Sequence, residues 1–204
     1  MIAIIDYGAG NLHSVQNALN YIKCECKVIT NGAELQEADA AILPGVGSFA
    51  DAMSSLNKSG LVEPIKAFIA SGKPFLGICL GLQLLFESSE ESPGVAGLGL
   101  LKGHILRIPE GRGLKIPHIG WNSLEYNNPS PLFAGLAQEP YVYFVHSYYL
   151  KSDEDIVTAS TRYGVKLHAS VQKGNVFATQ FHPEKSGDLG IQMLRNFIAL
   201  QGEI

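Results

Sequence analysis

The sequence predicts an α/β fold: a mostly parallel central sheet with helices on both faces, extended by antiparallel strands in the second half. Short apolar runs alternate with helix-period stretches through the first half of the chain. The texture turns β-rich after Pro93, and a helix with one apolar face closes the chain.

Ile2–Ile5 is a short apolar run and reads as a strand. Leu12–Ile22 has helical spacing, with Leu12, Val15, Leu19 and Ile22 on one side. Lys27–Ile29 and Ala40–Leu43 read as further strands. Leu61–Ile69 is a helix stopped by Gly72, Phe75–Ile78 a strand entered through Pro74, and Leu80–Phe86 a buried helix. Beyond Pro93, Leu100–Ile108, Tyr141–Leu150, Ile156–Ser160, Leu167–Gln172 and Val176–Phe181 are β-rich. Lys173-Gly174-Asn175 suits a hairpin turn between the last two. Gly187–Leu200 carries Ile191, Leu194, Phe197 and Ile198 on one helical face. Nothing reads as a linker, a repeat or low complexity, so residues 1–204 are expected to form one domain.

Of the 204 residues, 46% are apolar and 17% charged, as in ordinary globular chains. A net charge of -4 without a Lys/Arg cluster argues against a nucleic-acid footprint. The first residues show no basic segment and no cleavable apolar stretch, and no apolar run approaches membrane-spanning length. Three cysteines, Cys24, Cys26 and Cys79, are too few and too unevenly placed for a disulfide framework. Cys24 and Cys26 lack the second pair of ligands that a zinc site needs. Reduced thiols in the cytoplasm are the expectation.

The chemistry concentrates in two places, each after a strand. Gly77-Ile78-Cys79-Leu80-Gly81 puts a thiol on a strand-to-helix turn, where flanking β-carbons would clash; the glycines remove them. The N-terminus of the helix beginning at Leu80 points at the sulfur, which favours thiolate. His182-Pro183-Glu184 supplies an imidazole at a strand end and a carboxylate that curls back to its Nδ1–H, leaving Nε2 for the thiol. Taken alone, G-x-C-x-G describes a small buried cysteine equally well; the His-x-Glu partner decides for a nucleophile. Cys79, Gln83 and Glu87 recur at i, i+4 and i+8, a polar stripe up one side of a helix, with Glu87 placed to meet a substrate ammonium or simply to end the helix in solvent. Val145-His146-Ser147-Tyr148 follows a strand and is a second candidate wall. Pro44-Gly45-Val46-Gly47-Ser48 follows a strand end, where a backbone N–H would join that of Leu80 in an oxyanion hole; a plain turn fits the same residues. Val46 lies between two glycines, so the Gly45–Val46 peptide can rotate at low steric cost; if its N–H points away at rest, the hole is completed only on demand. Asp6-Tyr7-Gly8-Ala9-Gly10-Asn11 lacks the third glycine of a dinucleotide fingerprint, since position 13 is His13.

Together the Cys79 and His182 motifs resemble those of the class I (triad) glutamine amidotransferases. The stretches Asp6–Asn11, Pro44–Phe49, Pro117-His118-Ile119-Gly120-Trp121-Asn122 and Tyr143–Tyr148 narrow the resemblance to the branch serving histidine biosynthesis. It runs from Ile4 to Lys185. It implies a Cys79–His182–Glu184 triad and glutamine as substrate, bound by Gln83, Glu87, His146, Ser147 and Tyr148. Gly45, Val46, Gly47 and Leu80 are expected to hold the oxyanion, with no metal or organic cofactor. It also implies a heterodimer with a (β/α)8-barrel cyclase subunit, which uses the released ammonia with N1-(5-phosphoribulosyl)-formimino-AICAR-phosphate to give imidazole glycerol phosphate and AICAR-phosphate. Trp121, the only tryptophan, is a candidate anchor for that partner in a Pro/Gly-rich loop, with Asn11, Asn122 and Lys185 beside it. The alternatives are a glutaminase subunit for another synthase, such as pyridoxal phosphate or anthranilate synthesis, and a non-enzymatic scaffold.

Overall fold

The computed structural model describes residues 1–111 and 113–202, so the last two positions of the expected 1–204 domain lie outside the described residues. In the first half, strands β1 (Ile2–Ile5), β2 (Cys26–Ile29), β3 (Ala40–Gly45) and β4 (Phe75–Cys79) alternate with helices α1 (Leu12–Tyr21), α2 (Gly32–Glu37), α3 (Phe49–Lys58) and α4 (Val62–Ala70). The short helix α5 (Leu80–Leu84) follows β4 without a break. The second half adds β5 (Ser88–Ser89), β6 (Gly103–Arg107), β7 (His118–Ser123), β8 (Glu125–Tyr126), β9 (Tyr141–His146), β10 (Tyr148–Ser152), β11 (Val157–Tyr163), β12 (Val165–Lys173), β13 (Val176–Thr179) and the closing helix α6 (Gly187–Ala199).

Among the described residues an 11-stranded sheet runs β2-β1-β3-β4-β13-β12-β10-β6-β5, with β11 branching from β12 and β8 pairing with β11. The steps from β2 through β13 are parallel, and those from β13 to β6 are antiparallel. Strand alternation sorts the core. Ile2, Ile4, Ala40, Ile42, Leu76 and Ile78 face α1 and α6 through Val15, Leu19, Met193, Leu194 and Phe197. Ala3, Ile5, Ala41, Leu43 and Phe75 face the opposite way, onto Leu35, Phe49, Met53, Leu56, Ile65 and Phe68. Both faces of the parallel part are therefore covered by helices. No helix among the described residues is long and apolar enough to cross a membrane.

Two departures from the expected elements shape the site. The run Tyr141–Leu150 is not one strand: it breaks at Ser147. β9 pairs with β7 in a separate two-stranded sheet, while β10 joins the large sheet. Trp121 accordingly lies on strand β7 and not in a loop. The expected helix Leu80–Phe86 ends at Leu84, because the N–H groups of Leu98, Leu100 and Leu101 take the carbonyls of Leu84 and Leu85. By contrast, the hairpin turn stands as expected: Lys173 pairs with Val176 across Gly174 and Asn175, and Gly174 adopts φ +57°.

Candidate active site

Cys79 sits at the carboxyl end of β4 with φ 55° and ψ −110°, a region that L-residues rarely visit. The strain is held by packing that leaves no room for β-carbons on either side. A β-carbon on Gly77 would lie 2.8 Å from the Gly81 carbonyl oxygen, and one on Gly81 would fall on the Leu43 carbonyl oxygen. The adjacent strand ends level with it: Gly45 is the ladder partner of Cys79. Neighbouring strands lie about 4.8 Å apart, so the register alone brings the Pro44–Ser48 loop beside the sulfur. Gly45 itself is buried, and a β-carbon there would meet the Tyr7 hydroxyl at 2.7 Å and Gly81 N at 2.9 Å. Alanine at Gly45 would displace the loop whether or not the peptide turns. Gly47, with φ +97° and open space, is the looser end of the loop. The Tyr7 hydroxyl is buried without a hydrogen-bond partner; burial, then the nearby Cys79, raises its pKa.

His182 and Glu184 follow β13, the strand parallel to β4 on its other side. His182 Nδ1 lies 2.7 Å from Glu184 Oε1, and both side chains are almost fully buried. The carboxylate accepts the Nδ1 proton, which leaves Nε2 for the pocket, where that atom has no other hydrogen-bond partner. Burial lowers the proton affinity of this imidazole, but the Cys79 sulfur and the Glu184 carboxylate outweigh it and raise its pKa to about 9. At neutral pH the ring therefore carries a second proton.

A cavity of about 340 Å³ opens between these strand ends, lined by Val46, Gly47, Cys79, Leu80, Gln83 and His182 on one side. The strand break supplies the facing wall, Val145, His146, Ser147 and Tyr148, and Glu91, Pro117 and Lys185 complete it. Behind that wall His118 stacks between Phe144 and Tyr163, with ring centroids 4.8 and 4.0 Å away. His118 Nδ1 lies 3.0 Å from His146 Nε2, and His146 Nδ1 lies 2.8 Å from the Tyr148 carbonyl. A carbonyl only accepts, so His146 donates from Nδ1 and takes the His118 proton at Nε2. Burial holds both rings neutral, with pKa values of about 4 for His118 and about 3 for His146.

Of the residues singled out in the sequence, the cavity gathers Cys79, His182, Gln83, His146, Ser147, Tyr148, Val46, Gly47, Leu80 and Lys185. Glu87 is not among them. Because α5 stops at Leu84, the polar stripe ends at Gln83; Glu87 is exposed and its Oε2 accepts from Gly103 N at 3.0 Å. Glu91 takes the place expected of Glu87 in the cavity wall, with Oε2 accepting from Phe49 N at 2.8 Å. It lies in an irregular stretch where no periodicity points to it. Gln180 is also missed: buried after β13, it faces Cys79 from a run that reads as apolar strand. Asn11 caps α1 by accepting from Ser14 N, and Asn122 donates to the Arg162 carbonyl at 2.9 Å. Trp121 is 55% exposed on the outer face of β7, edge-on to Tyr143.

Comparison with known proteins identifies the class. The family described as Glutamine amidotransferase class-I matches residues 3–200, and the chain belongs to it. It is accordingly an enzyme of glutamine amide hydrolysis and transfer. Among curated relatives, the imidazole glycerol phosphate synthase subunit HisH of Methanothermobacter thermautotrophicus is 52% identical, over 98% of this chain and 98% of its own. The subunits of the same name from Geobacillus kaustophilus and Caldanaerobacter subterraneus subsp. tengcongensis are 51% and 50% identical, each over 97% of its own length. The fold is shared with a solved glutamine amidotransferase (TM-score 0.78, 23% identity, covering 99% of this chain and 100% of that one). It is shared as well with PurLQS from Thermotoga maritima (TM-score 0.77, 22% identity, covering 98% and 97%).

Proposed function

We propose that this chain is the glutaminase subunit of an imidazole glycerol phosphate synthase, a single domain acting in the cytoplasm beside a cyclase subunit. The observation that carries the chemistry is the buried His182 imidazole, gripped by Glu184 at 2.7 Å with its unpartnered Nε2 on the Cys79 side. Sγ of Cys79 attacks the side-chain carbonyl of glutamine, and the oxyanion is met by Leu80 N–H and an N–H of the Gly45–Gly47 loop. His182 gives its proton to the departing nitrogen, and ammonia leaves a thioester. Acylation caps the sulfur that helped raise His182, so the ring then serves as the base that takes a proton from water. Hydrolysis releases glutamate and restores the thiol.

The outer face of β7 and β9 supports a docked partner. Ile119, Trp121 and Tyr141 are 60%, 55% and 58% exposed there, while Val145 of the same sheet lines the cavity. Free ammonia in water is soon protonated and lost as a nucleophile, so an acceptor subunit seated on this apolar face would receive it dry. Placement in the cytoplasm is supported by three cysteines without a disulfide. Glutamate release from glutamine, by the chain alone and with the cyclase subunit and its nucleotide ligand, tests the proposal. A large rise only with both supports it; a rise with the partner of another synthase instead would reassign the pathway.

Further outcomes are expected. Turnover falls as pH rises through about 9, where His182 loses the proton it delivers. Glu184→Gln removes one of the groups that raise His182, so this alkaline limb moves to lower pH, and kcat drops by roughly 10³–10⁴-fold. Glu91→Gln is expected to raise KM for glutamine by about tenfold while largely sparing kcat, as loss of a charged contact to the substrate ammonium would. Glu87→Gln should leave both constants unchanged, and steady-state kinetics of the two variants separates the carboxylates.

A further inference from the structure

The amide of Gln180 is the buried polar group at the nucleophile that the triad leaves unused. It is 1% exposed, just past the end of β13 and two residues before His182. Its Nε2 donates toward Cys79 Sγ at 3.6 Å, and its Oε1 accepts from Gln83 Nε2 at 3.0 Å.

The direction of this amide is fixed from outside it. The Tyr148 carbonyl can only accept, and Gln83 Nε2 lies 3.2 Å from it, so the nitrogen end of Gln83 must point that way. The second hydrogen on that nitrogen then faces Gln180, which answers with its oxygen. The nitrogen of Gln180 is left facing the sulfur. Turning the Gln180 amide over would set N–H₂ against N–H₂ at Gln83 and lose that bond, and it would turn an acceptor oxygen toward a sulfur that as thiolate can only accept. The same Tyr148 carbonyl is held in place by His146 Nδ1–H at 2.8 Å.

We infer that Gln180 is a further catalytic residue, donating a hydrogen bond to the Cys79 sulfur and tying the orientation of that sulfur to Gln83 in the cavity wall. An N–H donor binds a thiolate more strongly than a thiol. It therefore favours the charged sulfur both in attack and in departure from the thioester intermediate. This rests on Cys79 being the nucleophile.

Two variants of the full chain, each alone and with the cyclase subunit, test it. Gln180→Glu keeps an oxygen for Gln83 and puts an acceptor where the donor stood. Gln180→Met keeps the length and loses both bonds. The readouts are alkylation of Cys79 by iodoacetamide at neutral pH, followed on the Cys79 peptide, together with kcat, KM and a thermal melt. Gln180→Glu is expected to slow alkylation and lower kcat by roughly 10–100-fold, the range of a hydrogen bond to a charged acceptor, with KM within about twofold. Gln180→Met is expected to do the same and to raise KM as well, because Gln83 loses its partner. Wild-type alkylation and kcat in either folded variant would overturn the assignment. Alkylation needs no glutamine, so a wild-type chain that alkylates but never releases glutamate would refute the glutaminase proposal and still leave the Gln180–sulfur bond to be judged by the variants.

Discussion

Cys79→Ala is expected to lower glutamine hydrolysis by a factor of roughly 10⁴ or more, because attack, oxyanion formation and the thioester all pass through that one sulfur. The fold should survive. Cys79 already occupies a turn that excludes neighbouring β-carbons, and alanine keeps its own β-carbon in place. In the complex, synthesis from added ammonia should persist, since the variant removes the source of ammonia and not the acceptor. Assays with glutamine and with an ammonium salt, run in parallel, separate these outcomes. Loss of both would mean that the substitution had disrupted the partner interface. Retention of glutamine-dependent turnover would remove Cys79 from the mechanism.

Gly81→Ala is expected to cause the largest structural effect. The new β-carbon would fall on the Leu43 carbonyl oxygen, a backbone atom of the buried strand β3, so neither side can move cheaply. Overpacking of this kind costs about 3 kcal/mol. The strain is relieved by shifting α5 away from β3, which carries Leu80 N–H and the Cys79 turn with it. A displacement of about 1 Å at a nucleophile is enough for a loss of roughly 100-fold in kcat. Denaturant unfolding and glutamate release should therefore fall together, unlike in Cys79→Ala, where only the second does. A Gly81→Ala protein with unchanged stability would show that the turn accommodates a β-carbon.

The groups that form the proposed triad could be read in the sequence because each part is contiguous: the glycines flank the thiol, and the carboxylate lies two residues from the imidazole it grips. The inner parallel strands β1, β3 and β4 could be read for a similar reason, since both faces are covered and their runs are apolar. What could not be read depends on contacts between distant segments. The extent of α5 is decided by Leu98, Leu100 and Leu101, whose N–H groups take its last carbonyls, and so Glu87 leaves the stripe that its spacing implies. Glu91 and Gln180 reach the cavity only once the loop after α5 and the end of β13 are folded around it. The break at Ser147 has no glycine or proline to mark it, yet it divides one apolar run between two sheets. Helix α3 is different. Its Ser48 cap and the spacing of Phe49, Ala52, Met53 and Leu56 are local signals, available in the sequence and overshadowed by the glycine-rich loop before them.

The paired histidines behind the cavity wall make this protein acid-labile at a definable place. An unfolded chain takes up protons on His118 and His146 near pH 6.5, whereas the folded one resists until about pH 4 and pH 3. Over that interval the unfolded state binds more protons, so stability falls with falling pH. His182 works in the opposite sense. Its folded value of about 9 means that its contribution is complete below pH 6.5 and lost as pH climbs toward 9. One imidazole thus penalises alkali and two penalise acid; His182 and His146 line the cavity, and His118 braces His146 from behind its wall. The protein's pH tolerance is centred by the residues that shape its substrate pocket, and acid should first loosen the strand pair β7 and β9, on whose outer face the proposed partner docks.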